Sequence, residues 1–146
     1  MKANLLRVLA IVSSMSLGQP AYADGPSDSV CGKHLNKRSV MEVLQDHAAA
    51  VQSGNAALVA CDYDANAVLI MPNAVIQGQD QIQAFYAQNF SLAGGPLIIN
   101  ATSLTITEDV VLIEYTVSSP NIVLNDNVDT FVIDKGLINA QSVRLH

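Results

Sequence analysis

From Ser39 onward the apolar positions recur at helical spacing: Val40, Leu44, Ala48 and Val51. Such a stripe predicts an amphipathic helix with one buried face. Ser39 and Glu42 form an S-x-x-E capping box that starts it, and Gly54 ends it. Asn55 suits the cap of a short second helix, Ala56 to about Tyr63, with Leu58 and Val59 inward. Ala67 to Met71 is a short apolar strand stopped by Pro72 and Asn73, and Val75 and Ile76 continue it or pair back. Asp80 then opens a third helix whose buried face is Ile82, Phe85, Tyr86 and Phe90, closed by Gly94, Gly95 and Pro96.

After Pro96 the period changes. Leu97 to Thr107, Val110 to Val117, Val128 to Ile133 and Leu137 to Leu145 alternate or run apolar and β-branched. Glu108-Asp109 and Asp134-Lys135-Gly136 are tight turns, and Ser118 to Asn127 is a loop with Pro120, interrupted by Ile122 to Leu124. Consecutive strands with short links make an antiparallel meander. Helices first and strands last make an α+β domain, with the helices packed on one sheet face. Val111, Ile113, Tyr115 and Val117 form one apolar strand face, yet Leu112 on the opposite face is apolar as well. A sheet apolar on both faces needs cover on both, which predicts a homodimer through the outer face.

The first segment follows another logic. Lys2 and Arg7 precede an apolar run from Val8 to Leu17, and Ala21-Tyr22-Ala23 follows as an A-x-A cleavage site. Residues 1–23 therefore read as a secretory signal peptide, with a run too short to span about 30 Å of hydrocarbon. Residues 24–38 read as a flexible lead-in and 39–146 as the domain. Removing residues 1–23 takes away Lys2 and Arg7 and leaves five basic against thirteen acidic side chains, a net −8. That charge argues against a nucleic-acid binder, which needs a basic face to meet the phosphates. The mature chain is expected in the periplasm or secreted, away from the membrane. In an oxidising compartment Cys31 and Cys61 most simply form one disulfide; two free structural thiols or a reactive thiol are the alternatives. His34, His47 and His146 are too scattered to suggest a metal centre, and no cofactor motif occurs.

Three stretches carry a family resemblance. They are Gln52 to Val59; Tyr63 to Pro72 with Val75-Ile76-Gln77-Gly78-Gln79-Asp80-Gln81-Ile82-Gln83-Ala84-Phe85-Tyr86; and Val128 to Ile138. In this order and spacing the chain resembles the nuclear-transport-factor-2-like fold, and within it SnoaL-like and ketosteroid-isomerase-like domains. The resemblance spans about Ser39 to Leu145. It implies a cone-shaped, curved antiparallel sheet wrapped on N-terminal helices, an apolar pocket between them, and frequent dimerisation. It does not choose a function, because one fold hosts many.

Two residues stand out for chemistry. Asp129 alternates with Phe131 and Ile133 and so shares their strand face. Among apolar neighbours its neutral form is favoured. By motif position it matches the family's oxyanion-hole Asp. His47 lies on the apolar stripe of the first helix, where ketosteroid isomerases place the oxyanion-hole Tyr. A His there can donate a hydrogen bond or move a proton near neutral pH. A His47–Asp129 pair is the sharpest candidate; a core histidine and a structural carboxylate are the bland alternatives. The resemblance puts the family's catalytic base at Met71, which takes no proton, so ketosteroid isomerisation is not expected. Tyr86, Tyr115 and Phe131 are candidate pocket walls beside Met71, and Asp62 and Asp64 read as a solvated turn. The expected partner is a small hydrophobic molecule. It is either converted by isomerase, dehydratase or cyclase-type acid–base chemistry or bound without reaction; a non-catalytic dimerising interaction domain is the alternative.

Overall fold

The computed structural model describes residues 28–32 and 35–145. Residues 1–27, on which the expected signal peptide falls, Lys33, His34 and His146 lie outside the described residues. The chain runs through a short helix α1 (Asp28–Cys31), a 3₁₀ turn (Leu35–Lys37), α2 (Val40–Ser53), α3 (Ala56–Cys61), β1 (Tyr63–Met71), β2 (Ala74–Gln77), α4 (Gln79–Ala93), β3 (Ile98–Thr107), β4 (Val110–Ser118), β5 (Val123–Asp134) and β6 (Leu137–Arg144).

The helix punctuation acts as the sequence suggests. The Ser39 hydroxyl accepts from the Glu42 amide, and the Glu42 carboxylate accepts from the Ser39 amide at 2.7 Å. Gly54 closes α2 in the left-handed conformation, and Asn55 caps α3 through the amides of Ala57 and Leu58. The buried face of α2 is Val43, His47, Ala50 and Val51; Val40, Leu44 and Ala48 flank it at partial burial. In α3 Val59 is buried but Leu58 is exposed, because this helix turns Ala60 and Cys61 inward instead. Cys61 is bonded to Cys31, and the disulfide ties the lead-in to α3. The described part of the lead-in is thus structured, as two short helical turns anchored to the domain.

The six strands form one curved, unclosed sheet in the order β2-β1-β6-β5-β4-β3. Strands β3 to β6 are the expected antiparallel meander, while β1 joins β6 in parallel, so the sheet as a whole is mixed. Strand β1 begins at Tyr63 rather than Ala67, and β2 pairs back on it. Strand β5 begins at Val123, inside the stretch that reads as a loop. Its polar run Asn125-Asp126-Asn127 sits at a register shift opposite Tyr115 and Val117. There Asp126 takes φ 59°, and the buried Asn127 amide donates to the carbonyls of Tyr115 and Leu124. A bulge satisfied by its own side chain reads as a loop in sequence.

The inner sheet face and the helices enclose the core, with Val43, Val59, Leu69, Ile82, Val111 and Ile138 fully buried. The opposite face carries Ile70, Val75, Val110 and Leu112, all exposed. Among the described residues no helix is long and apolar enough to cross a membrane.

Candidate functional site

Strand β5 lies between β4 and β6, and its alternation sends Asp129, Phe131 and Ile133 inward and Val128, Thr130 and Val132 outward. Asp129 pairs in register with Ile113 on one side and Val143 on the other, and Phe131 pairs with Gln141. The inward neighbours of Asp129 are therefore Tyr115, diagonally across β4, and Gln141, diagonally across β6. Both donate to it. The Tyr115 hydroxyl reaches Oδ1 at 2.9 Å and the Gln141 amide nitrogen reaches Oδ2 at 2.6 Å.

The network continues beyond Gln141. Its amide oxygen accepts from the Tyr63 hydroxyl, whose oxygen lies 3.1 Å from that of Tyr86. Tyr63 has one proton and gives it to Gln141, so Tyr86 donates to Tyr63. The result is a directed chain, Tyr86 to Tyr63 to Gln141 to Asp129, with Tyr115 arriving from the other side. Every buried donor in it has an acceptor, as a polar network in a core requires. Burial holds all three phenols well above their ordinary range, so they remain O–H donors. Burial also pushes the Asp129 carboxyl up to about 6, against the opposing pull of Gln141, Tyr115 and the nearby His47.

Asp129 is on the wall of a cavity of about 190 Å³ between the sheet, α2 and α4. Leu44, Val51, Phe85, Ile113 and Val117 make most of that wall apolar. His47, Met71, Tyr86, Tyr115 and Phe131 all line it, so the structure gathers every pocket residue proposed from sequence around one space. It does not hydrogen-bond His47 to Asp129. The His47 ring is wedged edge-on among Tyr63, Tyr86 and Phe131, with centroids 5.5, 6.1 and 5.6 Å away. Its Nδ1 faces Asp62 Oδ2 at 3.5 Å.

Asp62 departs from the sequence expectation. It is 3% exposed, not a solvated turn residue. Arg38, from the segment before α2, donates to its Oδ1 at 2.6 Å and compensates its charge. No local pattern links residues 38 and 62, so the sequence alone has no signal for this pair. Gln141 and Tyr63 are likewise missed. Tyr63 sits at the helix–strand boundary, and a register shift in the β5–β6 ladder changes the phase of β6. Simple alternation from Ile138 would point Ala140 and Ser142 inward; the shift puts Gln141 there instead. Among the described residues no group of three or more His, Cys, Asp or Glu is placed to hold a metal ion.

No protein-family model matches the chain, and no curated protein does. Solved structures do. A nuclear-transport-factor-2-like protein of unknown function from Cytophaga hutchinsonii superposes with a TM-score of 0.63 at 10% identity, over 74% of this chain and 90% of that one. A putative polyketide cyclase from Sinorhizobium meliloti gives 0.61 at 17% identity, over 70% and 94%. An epoxide hydrolase/cyclase-like enzyme with a role in pyran ring formation in the polyether salinomycin gives 0.62 at 16% identity, over 73% and 89%. The chain therefore has the nuclear-transport-factor-2-like fold, α+β, with the curved sheet closed over by helices. Identities this low establish the fold and leave the chemistry to the site.

Proposed function

We propose that this chain is an exported ligand-binding domain whose cavity takes a small, largely hydrophobic molecule bearing one carbonyl or hydroxyl. We propose further that Asp129 and His47 act on that molecule by acid–base chemistry of the isomerase, dehydratase or cyclase type. The observation that carries this reading is Asp129. It is a carboxyl 5% exposed, on a largely apolar cavity wall, that burial pushes up to about 6 and that shares the cavity with an imidazole. A group with that pKa is present in both protonation states near neutral pH, as proton abstraction and return require. Tyr115 and Gln141 each occupy one lone pair of the carboxylate and leave another on each oxygen. That makes Asp129 an acid–base group, where the family resemblance suggests a fixed neutral donor. The cavity is slightly larger than the roughly 150 Å³ that holds benzene, which suits a single substituted ring. The cyclase-like neighbours on the same fold are consistent with such chemistry.

Export rests on the signal-like residues 1–23, and the disulfide between Cys31 and Cys61 accords with it. The test of the cavity is a fluorescence titration with an apolar reporter dye, competed by small cyclic ketones and phenols. Saturable binding is expected in the parent. It should be lost in Ala48→Phe, which fills the cavity from α2, while the thermal melt stays within a few degrees. No dye binding by the folded parent would end the reading.

A second reading, a dimerising interaction domain, draws on the outer sheet face. Register aligns Val75, Ile70, Ser142, Thr130, Leu112 and Thr105 in one cross-strand row, with Gln77, Val68, Ala140, Val132, Val110 and Thr107 beside it. Of these, Val75 is 68% and Ile70 44% exposed. We propose that a second copy of the chain covers this face, whether or not the cavity is catalytic.

A further inference from the structure

Arg38 stands one residue before the cap of α2, and Asp62 is the residue that caps the end of α3. The backbone of Asp62 is fixed on both sides: its amide donates to Val59, and its carbonyl accepts from the Ile138 amide at 2.8 Å. The Arg38 guanidinium is equally fixed. It donates to the Gly136 carbonyl at 2.9 Å, to Asp46 at 2.9 Å and to Asp62 Oδ1 at 2.6 Å. One oxygen of Asp62 is thereby used. The other, Oδ2, is sealed from solvent without a hydrogen bond, and so is His47 Nδ1, 3.5 Å away.

A sealed carboxylate oxygen without a donor is costly, and the Nδ1 proton of His47 is the donor within reach. Three aromatic rings at 73–81° to the imidazole hold its plane, and within that plane Nδ1 is the edge turned to Asp62. His47 lines the cavity and Asp62 does not; with Nδ1 turned to Asp62, Nε2 is the ring nitrogen left for the cavity. The 3.5 Å separation is at the long end of hydrogen-bonding range. Around the imidazole the titratable and charged groups are Asp62 and, behind it, Arg38; the phenols of Tyr63 and Tyr86; and Asp129 across the cavity.

We propose that Asp62, held by Arg38, is a positioning residue that fixes His47 in the Nδ1–H tautomer and so presents an unprotonated Nε2 to the cavity. The inference rests on the cavity being where His47 acts. It assigns the imidazole the acceptor role toward a substrate hydroxyl or carbon acid, opposite Asp129.

The test is long-range ¹H–¹⁵N correlation spectroscopy of the histidine-labelled chain, lead-in with Cys31 and Arg38 included, at about pH 8.5, above the ordinary imidazole range near 6.5. His47→Phe assigns the signal. The parent should carry its proton on Nδ1. In Asp62→Asn, Arg38 demands the amide oxygen, so the amide NH₂ faces His47 and the proton should move to Nε2. Asp46→Asn, which alters only the exposed partner of Arg38, should leave it on Nδ1. An Nε2 proton in the parent overturns the proposal even if Asp62→Asn fails to fold. So does an unmoved proton in folded Asp62→Asn, or the same displacement in Asp46→Asn. Dye titration of the same samples separates the two ideas. A parent that binds no dye but keeps its proton on Nδ1 loses the cavity reading and retains the positioning geometry. A parent that binds dye with its proton on Nε2 loses only the positioning role.

Discussion

Tyr115 and Asp129 meet on the inner face of neighbouring strands, the phenol O–H donating across 2.9 Å to a carboxylate with 5% exposure. Two forces act on that carboxyl in opposite directions. Desolvation raises its pKa and prevails, while the hydrogen bonds from Gln141 and Tyr115 lower it. Removing one donor should therefore raise it further. In Tyr115→Phe the Asp129 titration midpoint, followed by side-chain carboxyl NMR, is expected clearly above the parent value of about 6. A midpoint that stays or falls would show that the phenol does not support the ionised form.

The same shift makes stability depend on pH. The folded pKa of about 6 lies above the ordinary value of 3.8, so between these values the folded state binds more protons than the unfolded chain. The contribution of Asp129 is then fully present below about pH 4 and is lost as pH rises through about 6. A shift of roughly two units corresponds to about 3 kcal/mol. Urea unfolding of the parent and Asp129→Asn at a series of pH values should show the variant gaining on the parent by up to that amount between about pH 4 and 7. A constant difference across the range would place Asp129 in contact with water.

Much of this arrangement is legible in the chain itself. Helix α2 is defined by local signals, a capping box and a glycine stop, and its stripe alone puts His47 inside. Two-residue alternation gives the inward set Asp129, Phe131 and Ile133, because nothing interrupts β5 there. What the sequence hides is the partner of each polar group. Asp62 is held by Arg38 from 24 residues away, and Gln141 turns inward only through a ladder shift that leaves no mark in hydropathy. Local patterns specify faces; long-range charge compensation and bulges specify who meets whom on them.

The lead-in offers a separate test. Cys31 and Cys61 close a loop with a sequence separation of 30, for which the chain-entropy model gives about 3–4 kcal/mol. Thiol titration of unfolded, unreduced protein should find no free thiol. The Cys31→Ala/Cys61→Ala variant should unfold in urea with a stability lower by about that amount. Two titratable thiols per chain, or an unchanged midpoint, would contradict the bond.

The outer sheet face predicts an assembly. Ile70 and Leu112 lie in one cross-strand row and are 44% and 37% exposed. Exposed apolar rows on a sheet are expected to find cover. Light scattering of a chain spanning residues 24–146, 123 residues, should give twice the single-chain mass, itself about 13 kDa at roughly 110 Da per residue. The Ile70→Lys/Leu112→Lys variant should run as a folded single chain. A parent that is already a single chain at micromolar concentration rules out this use of the face.

The polar network around Asp129 should behave as a unit. Asp129→Leu removes a buried charge but leaves the Tyr115 hydroxyl and the Gln141 amide without an acceptor. Each orphaned donor costs about 1–3 kcal/mol, so Leu should destabilise despite its apolar fit. Tyr115→Phe alone removes a donor and leaves the carboxylate with one partner fewer. Combined, the two substitutions leave no orphan between residues 115 and 129. The double variant should therefore be more stable than the sum of the single losses by about 1–3 kcal/mol, the signature of residues that share a contact. Chemical denaturation of the four proteins closes the cycle. Losses that simply add would show that the phenol and the carboxylate are independent, and that Asp129 is supported through Gln141 and the tyrosines behind it.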